Sequence, residues 1–193
     1  MEVFGTVGGS LRGKGAGWGQ GKVKAGAAGE RATSALLERM FTSDFDVYLF
    51  NDVSVPGMDR ANADHVVVRG RRVLVVDSKR WAPGFYWSFR GCWRGRRRFA
   101  EADKTEVTAS AVDNLSTWLR EQLGYSPSVT GLIVLHPNPR HPGRYRTWAL
   151  RLPGGLALRV GGQAEGLIRE RLGKRAQPDA ALLNALHSLV RRC

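Results

Sequence analysis

The stretch Ala61–Lys79, ANADHVVVRGRRVLVVDSK, constrains the fold of this chain more than any other. Two β-branched runs flank Arg69-Gly70-Arg71-Arg72, the pattern of an antiparallel hairpin. With Gly70-Arg71 as a two-residue loop, Gly70 takes the first loop position, where a type II′ turn needs a positive φ. Facing positions then sum to 141, so Val68 faces Val73, Val66 faces Val75, Asp64 faces Asp77 and Asn62 faces Lys79. Alternation along the strand keeps Lys79 on the face of Asp77. Facing side chains stand roughly 5 Å apart, a separation at which like charges repel. Two carboxylates that close need a cation, a shared proton or a paired ammonium. A divalent metal beside Lys79 meets that need. A plain salt bridge from Lys79 to Asp77, with Asp64 left in solvent, is the structural alternative.

The hairpin is apolar on both faces, with Val66, Val68, Val73 and Val75 on one and Val67, Leu74 and Val76 on the other. A strand pair buried on both sides needs a layer above and a layer below, which places the chain in the α/β class. The flanking patterns supply such layers. Helical spacing of Ala32, Ala35, Leu36, Leu37 and Met40 predicts a helix from Ala25, with Glu30 in its opening turn. Phe45–Val55 reads as a strand closed by Pro56-Gly57. A second, Arg- and aromatic-rich hairpin follows over Phe85–Phe99, with Phe85, Trp87 and Phe89 on one face, expected to pack as core. Glu101–Leu123 suits a helix with Val107, Val112, Leu115, Trp118 and Leu119 on its apolar side, and Val129–Leu135 a buried strand. An edge strand over Arg144–Leu150 and two helices near 163–172 and 179–191 complete the order. Residues 1–24, Gly-rich with scattered Lys and Arg, read as a flexible basic arm, and 25–193 as one domain.

Charge narrows the partner. Lys and Arg number 30 against 17 Asp and Glu, a net charge of +13, which favours a polyanion such as nucleic acid. Most of the excess falls between Arg69 and Arg98, a segment whose only acid is Asp77, so the basic stretch encloses the candidate site. Arg80, Arg90, Arg94, Arg96, Arg97 and Arg98 are the expected phosphate contacts. No apolar run approaches the ~20 residues of a membrane span, and the N-terminus lacks the apolar core of a secretion signal, so no membrane partner and a cytoplasmic location are expected. Cys92 and Cys193 have no zinc-type spacing and read as free thiols. His136 and His141 flank the prolines of a turn, His65 alternates away from Asp64, and His187 lies on an apolar helix, so none is taken as a ligand.

Helix, strand, hairpin with Asp on one strand and Asp-x-Lys on the next, accessory hairpin, helix, strand: this order resembles the PD-(D/E)XK nuclease superfamily. More narrowly, Ala25–Glu30 (AGAAGE), Asn51-Asp52-Val53, Ala63–Val68 and Val75–Lys79 are similar to the nuclease-related domain, NERD. The resemblance covers roughly residues 25–135, leaving 136–193 as an extension. It implies a restriction-endonuclease-like three-layer core, a central mixed sheet flanked by helices, with the accessory hairpin and a helical C-terminal tail. It implies that Asp64 and Asp77, with the carbonyl of Ser78, bind magnesium, for which manganese can substitute, and that no small-molecule cofactor is needed. Lys79 would orient the attacking water and steady transition-state charge, and Glu30 would support the metal or its water. The activity implied is metal-dependent hydrolysis of DNA phosphodiesters, without sequence specificity or selective for structure. RNA as the substrate, a homo-oligomeric state and a non-catalytic nucleic-acid-binding version of the same fold stay open. Two departures stand out. Asp77 replaces the commoner Glu, and Thr105–Ser110 offers no Gln early in the helix after the accessory hairpin.

Overall fold

The computed structural model describes residues 1–8, 20–58, 61–137 and 143–190, with backbone alone for 20–25. Its centre is a six-stranded mixed sheet built from β1 (Glu2–Phe4), β2 (Val47–Ser54), β3 (Asn62–Arg69), β4 (Arg72–Lys79), β8 (Ser128–Leu135) and β10 (Ala157–Val160), in the order β1-β2-β3-β4-β8-β10. β2, β3 and β4 run antiparallel in sequence, whereas β8 lies parallel to β4 and β10 parallel to β8. The β3–β4 ladder has the expected register, from Arg69 opposite Arg72 to His65 opposite Val76, and Gly70 turns the corner with φ +57°.

Two helical layers cover the sheet, as a strand pair apolar on both faces requires. On one side α1 (Gln20–Phe41) and α3 (Ala164–Leu172) bury Leu36, Leu37, Phe41 and Ile168 against Val67, Leu74, Val76 and Val134. On the other, α2 (Glu106–Leu123) and α4 (Ala180–Leu189) bury Leu115, Leu119, Leu182 and Leu186 against Val66, Val68, Val73 and Val75. Gly124 ends α2 in the left-handed conformation, its N–H bonded to the carbonyl of Arg120, and the Asp179 carboxylate caps α4 by accepting from the Leu182 N–H. Among the described residues, no helix is long and apolar enough to cross a membrane.

A second sheet of four strands, β7-β6-β5-β9, is formed by β5 (Gly84–Ser88), β6 (Cys92–Arg94), β7 (Arg97–Arg98) and β9 (Tyr145–Ala149). Its inner face sets Tyr86 and Cys92 against Trp81, Leu135, Leu150 and Leu152.

Three expectations need correction and one an addition. The basic arm contributes β1, which pairs parallel with β2, so the chain start belongs to the sheet; residues 9–19 of that arm lie outside the described residues. Helix α1 begins at Gln20, ahead of Ala25. The C-terminal extension holds the two expected helices, α3 and α4, one in each layer, and the expected edge strand, β9, which edges the small sheet, and it adds β10, which extends the main sheet. Finally, Phe85 and Phe89 are 37% and 64% exposed, and the fully buried aromatic of the accessory hairpin is Tyr86. Phe85, Trp87 and Phe89 do alternate together, but towards solvent. Val107 is exposed too, because it falls off the stripe of Thr108, Ala109, Ala111, Leu115 and Leu119 that α2 buries.

Candidate active site

β4 and β8 are parallel and paired through Lys79 and Leu135, so their carboxyl ends share one edge, the side on which open α/β sheets bind ligands. There β3 leaves β4. Their ladder stops at His65 and Val76, although β3 stays paired with β2 as far as Asn62. Asp64 lies just past the split, and its Oδ2 accepts the Ser78 N–H at 3.0 Å. The expected facing pair of Asp64 and Asp77 is therefore not a ladder pair. It becomes the two walls of a notch, held by a side-chain bond where the backbone bond is missing.

Asp77 is buried, and Lys79 Nζ lies 2.7 Å from both of its carboxylate oxygens. The hydroxyl of Thr108, from the first turns of α2, donates to Asp77 Oδ2 at 2.5 Å. Glu30 reaches the notch from α1, which passes close enough that a Cβ on Gly29 would lie 3.6 Å from Ser78 Cβ. Asp52 on β2 is buried with φ +55°, a left-handed conformation uncommon for a residue with a side chain, and accepts from Asn62 Nδ2 at 2.6 Å. The β2–β3 ladder skips the position where Asp52 meets Asp64.

The electrostatics follow from crowding. Burial pushes the Asp64 carboxyl well above the ordinary carboxylate range, and Asp77 and Glu30 push it further. Burial also raises Glu30, helped by Asp52 and Asp77. Burial works against the Lys79 ammonium, yet the charges of Asp77, Asp64 and Glu30 outweigh it and raise its pKa. Three acids thus share one ammonium, and Asp52 adds its charge beside Glu30.

On the opposite side of β4, the Ser78 hydroxyl donates to Thr33 Oγ1 at 2.7 Å, and Thr33 Oγ1 lies 2.7 Å from His136 Nε2. His65 Nδ1 lies 2.7 Å from Asn51 Oδ1, and burial lowers its pKa to about 4, so it is neutral at physiological pH. Thr33, Asp52, Thr108 and His136 are the site neighbours that sequence reasoning missed. His136 was within reach of it, because the residue after a parallel neighbour of β4 must emerge at the same sheet edge.

The six arginines do not act as one group. Arg80 is half-buried beside the notch, its Nη2 3.5 Å from the Pro137 carbonyl. Arg90, Arg96 and Arg97 are exposed on the small sheet, and Arg94 is half-buried behind Tyr86. Arg98 pairs with Asp103 at 2.8 Å. Arg69, Arg71 and Arg72 stand at the hairpin turn, roughly 20 Å of strand away from Asp77. Of the basic segment, Lys79 therefore lies in the notch and Arg80 beside it. His141 lies outside the described residues.

Among the described residues, no three His, Cys, Asp or Glu side chains form a ready-made metal cage. The donors that could hold a cation are Asp64 and Asp77 with the Ser78 carbonyl, an all-oxygen set with the one or two carboxylates that suit magnesium. The raised Asp64 carboxyl fits such an ion, since a divalent charge there would relieve the repulsion that burial and Asp77 impose. A family model described as the nuclease-related domain matches residues 25–136. Comparisons with curated proteins and with solved structures return no match.

Proposed function

Since the chain belongs to the nuclease-related domain family, we propose that it hydrolyses DNA phosphodiester bonds with a divalent metal, magnesium or manganese, held in the notch. The observation that carries this reading is the excess of acid around Lys79: Glu30, Asp64 and Asp77 against a single ammonium, with Asp52 beside Glu30 and the Asp64 and Glu30 carboxyls raised. Asp64, Asp77 and the Ser78 carbonyl hold the ion. When bound, the ion supplies charge relief at the phosphoryl oxygens and a water made acidic enough to attack. Thr108 fixes the Asp77 carboxylate by its hydrogen bond. Lys79, released from one Asp77 oxygen, faces the scissile phosphate as a point charge and orients the water. Glu30 accepts from that water on the α1 side. Arg80, beside the notch, neutralises a neighbouring phosphate.

A second reading has its own observation. Lys79 and Thr108 already occupy both Asp77 oxygens, the arrangement of a closed structural ion pair, which suits a DNA-binding protein that does not cleave. Incubation of plasmid and linear DNA with the protein separates the two. Hydrolysis predicts cleavage that requires magnesium and falls to background in Asp77→Ala while DNA binding stays within about two-fold of wild type. Binding without cleavage in any divalent metal contradicts hydrolysis.

A further inference from the structure

A sheet with one face on the core normally turns polar side chains to water on the other. The small sheet does the reverse. Its solvent face carries Trp148 (75% exposed) from β9, Phe85 and Trp87 from β5, and Trp93 from β6, with Phe89 (64% exposed) in the β5–β6 turn. The rings form a row across three strands: the Trp148 and Phe85 centroids are 5.5 Å apart, and Trp87 stacks on Trp93 at 5.7 Å with the planes 19° apart. Their polar edges are already satisfied, because the Trp87 indole donates to the Gly95 carbonyl at 2.8 Å and the Trp93 indole to the Phe89 carbonyl at 3.0 Å. The ring orientations are fixed locally, and Trp148 offers an open aromatic face.

The exposed cations near these rings are Arg90, Arg96, Arg97 and Arg146, because Arg98 is paired with Asp103 and Arg94 lies against Tyr86; residues 84–98 and 145–149 themselves contain no acid. Arg146 stands directly opposite Phe85 in the β5–β9 ladder, and the Arg90 guanidinium lies over the Phe89 ring at 5.6 Å. Aromatic faces interleaved with arginines suit a chain of unpaired bases on a phosphate backbone; a duplex hides its base faces and would use only the arginines. A patch meant for a second copy of this chain would meet its own like charge there. The location matters as well: Gly84, where β5 starts, is five residues beyond Lys79, so the platform begins within about 18 Å of the notch.

We propose that the outer face of the small sheet is a stacking platform for single-stranded DNA, which seats about two or three unpaired bases and leads that strand to the notch. The commitment to DNA rests on the nuclease reading above, but the platform is testable without cleavage. Fluorescence anisotropy of a labelled single-stranded oligodeoxynucleotide and of a blunt hairpin duplex, both with the full chain in EDTA, reads the two affinities directly. Trp148→Ala is expected to weaken single-strand binding roughly ten-fold or more while duplex binding changes by less than about two-fold. Phe85→Ala acts in the same direction, and Trp148→Phe, which keeps a ring, keeps most of the affinity; unchanged melting temperatures show that the variants fold. Equal losses on both substrates, no loss on either, tighter binding of single-stranded RNA of the same sequence, or a dimer that Trp148→Ala dissociates would each overturn the platform. If wild type binds the single strand in a Trp148-dependent way and cuts nothing in magnesium, only hydrolysis fails. If duplex is cut in magnesium and Trp148 is irrelevant to binding, only the platform fails.

Discussion

The two ends of the β3–β4 hairpin carry clusters of charge on the same pair of strands, yet they are built on opposite terms. At the turn, Arg69 is buried between Asp44 at 3.1 Å and Asp46 at 3.2 Å, and its guanidinium also donates to the Gly173 carbonyl. Next to it Arg71 pairs with Asp179 at 2.9 Å and lies over the Tyr125 ring at 4.1 Å. The hydrogen bond from Tyr125 holds the Asp179 carboxyl below its ordinary value, and burial together with that bond pushes the Tyr125 phenol up to about 12. Every acid there has a cation. At the other end Glu30, Asp64 and Asp77 converge on Lys79, with Asp52 beside Glu30, and the Glu30 and Asp64 carboxyls are raised. Charges that balance fasten the fold; charges that do not balance create a demand for something from outside. The direction of the pKa shift separates a structural cluster from a functional candidate better than the number of charged residues does.

Substitutions should obey that division. Arg69→Ala leaves Asp44 and Asp46 half-buried without their main partner, and urea unfolding is expected to show a loss of about 3–5 kcal/mol. A loss below about 1 kcal/mol would mean that the turn cluster is as dispensable as an exposed ion pair. Thr108→Val tests the opposite end. It removes the donor to Asp77 Oδ2 without changing side-chain size much, and cleavage is expected to fall about 10–100-fold, the usual cost of losing a partner of a metal ligand. Thr108→Ser should retain most activity. An active Thr108→Val beside an impaired Thr108→Ser would show that the methyl matters and the hydroxyl does not.

The contrast was half legible in the sequence. The hairpin register follows from two β-branched runs and Gly70, and the ladder runs as those residues dictate. Glu30, Asp64, Asp77 and Lys79 gather at one sheet edge because strand alternation and helix position are local properties. What escaped depends on distant partners. β1 and β10 have only 3 and 4 residues, and each pairs parallel with a strand far away in sequence, so neither carries enough pattern of its own. Arg69 is as basic as Arg96 in the bare sequence; only the packing of Asp44 and Asp46 around it decides that it holds the fold. Thr108 stands in the turn where the family pattern leads one to expect a Gln, and it reaches Asp77 with a shorter side chain from a helix that approaches closely. Phe85 and Phe89 read as core because aromatic residues usually are, but β5 sets Tyr86 inward and so turns its neighbours out.

The central claim is that the notch lacks positive charge, and thermal unfolding of wild type and Asp64→Asn, in EDTA and in millimolar magnesium, tests it most directly. The substituted amide would still accept the Ser78 N–H through its oxygen while shedding the repelled charge. A carboxyl whose folded pKa is raised stabilises the protein below its unfolded value, near 4, and that contribution is lost as pH rises through the folded pKa. In EDTA at pH 7, Asp64→Asn should therefore melt higher than wild type, with the gap closing towards pH 4. Magnesium should raise the wild-type melting temperature by about 3–6 °C at roughly ten times its dissociation constant and raise the variant less. A variant that melts lower than wild type in EDTA, with magnesium moving neither protein, would contradict the claim and leave the notch a closed ion pair.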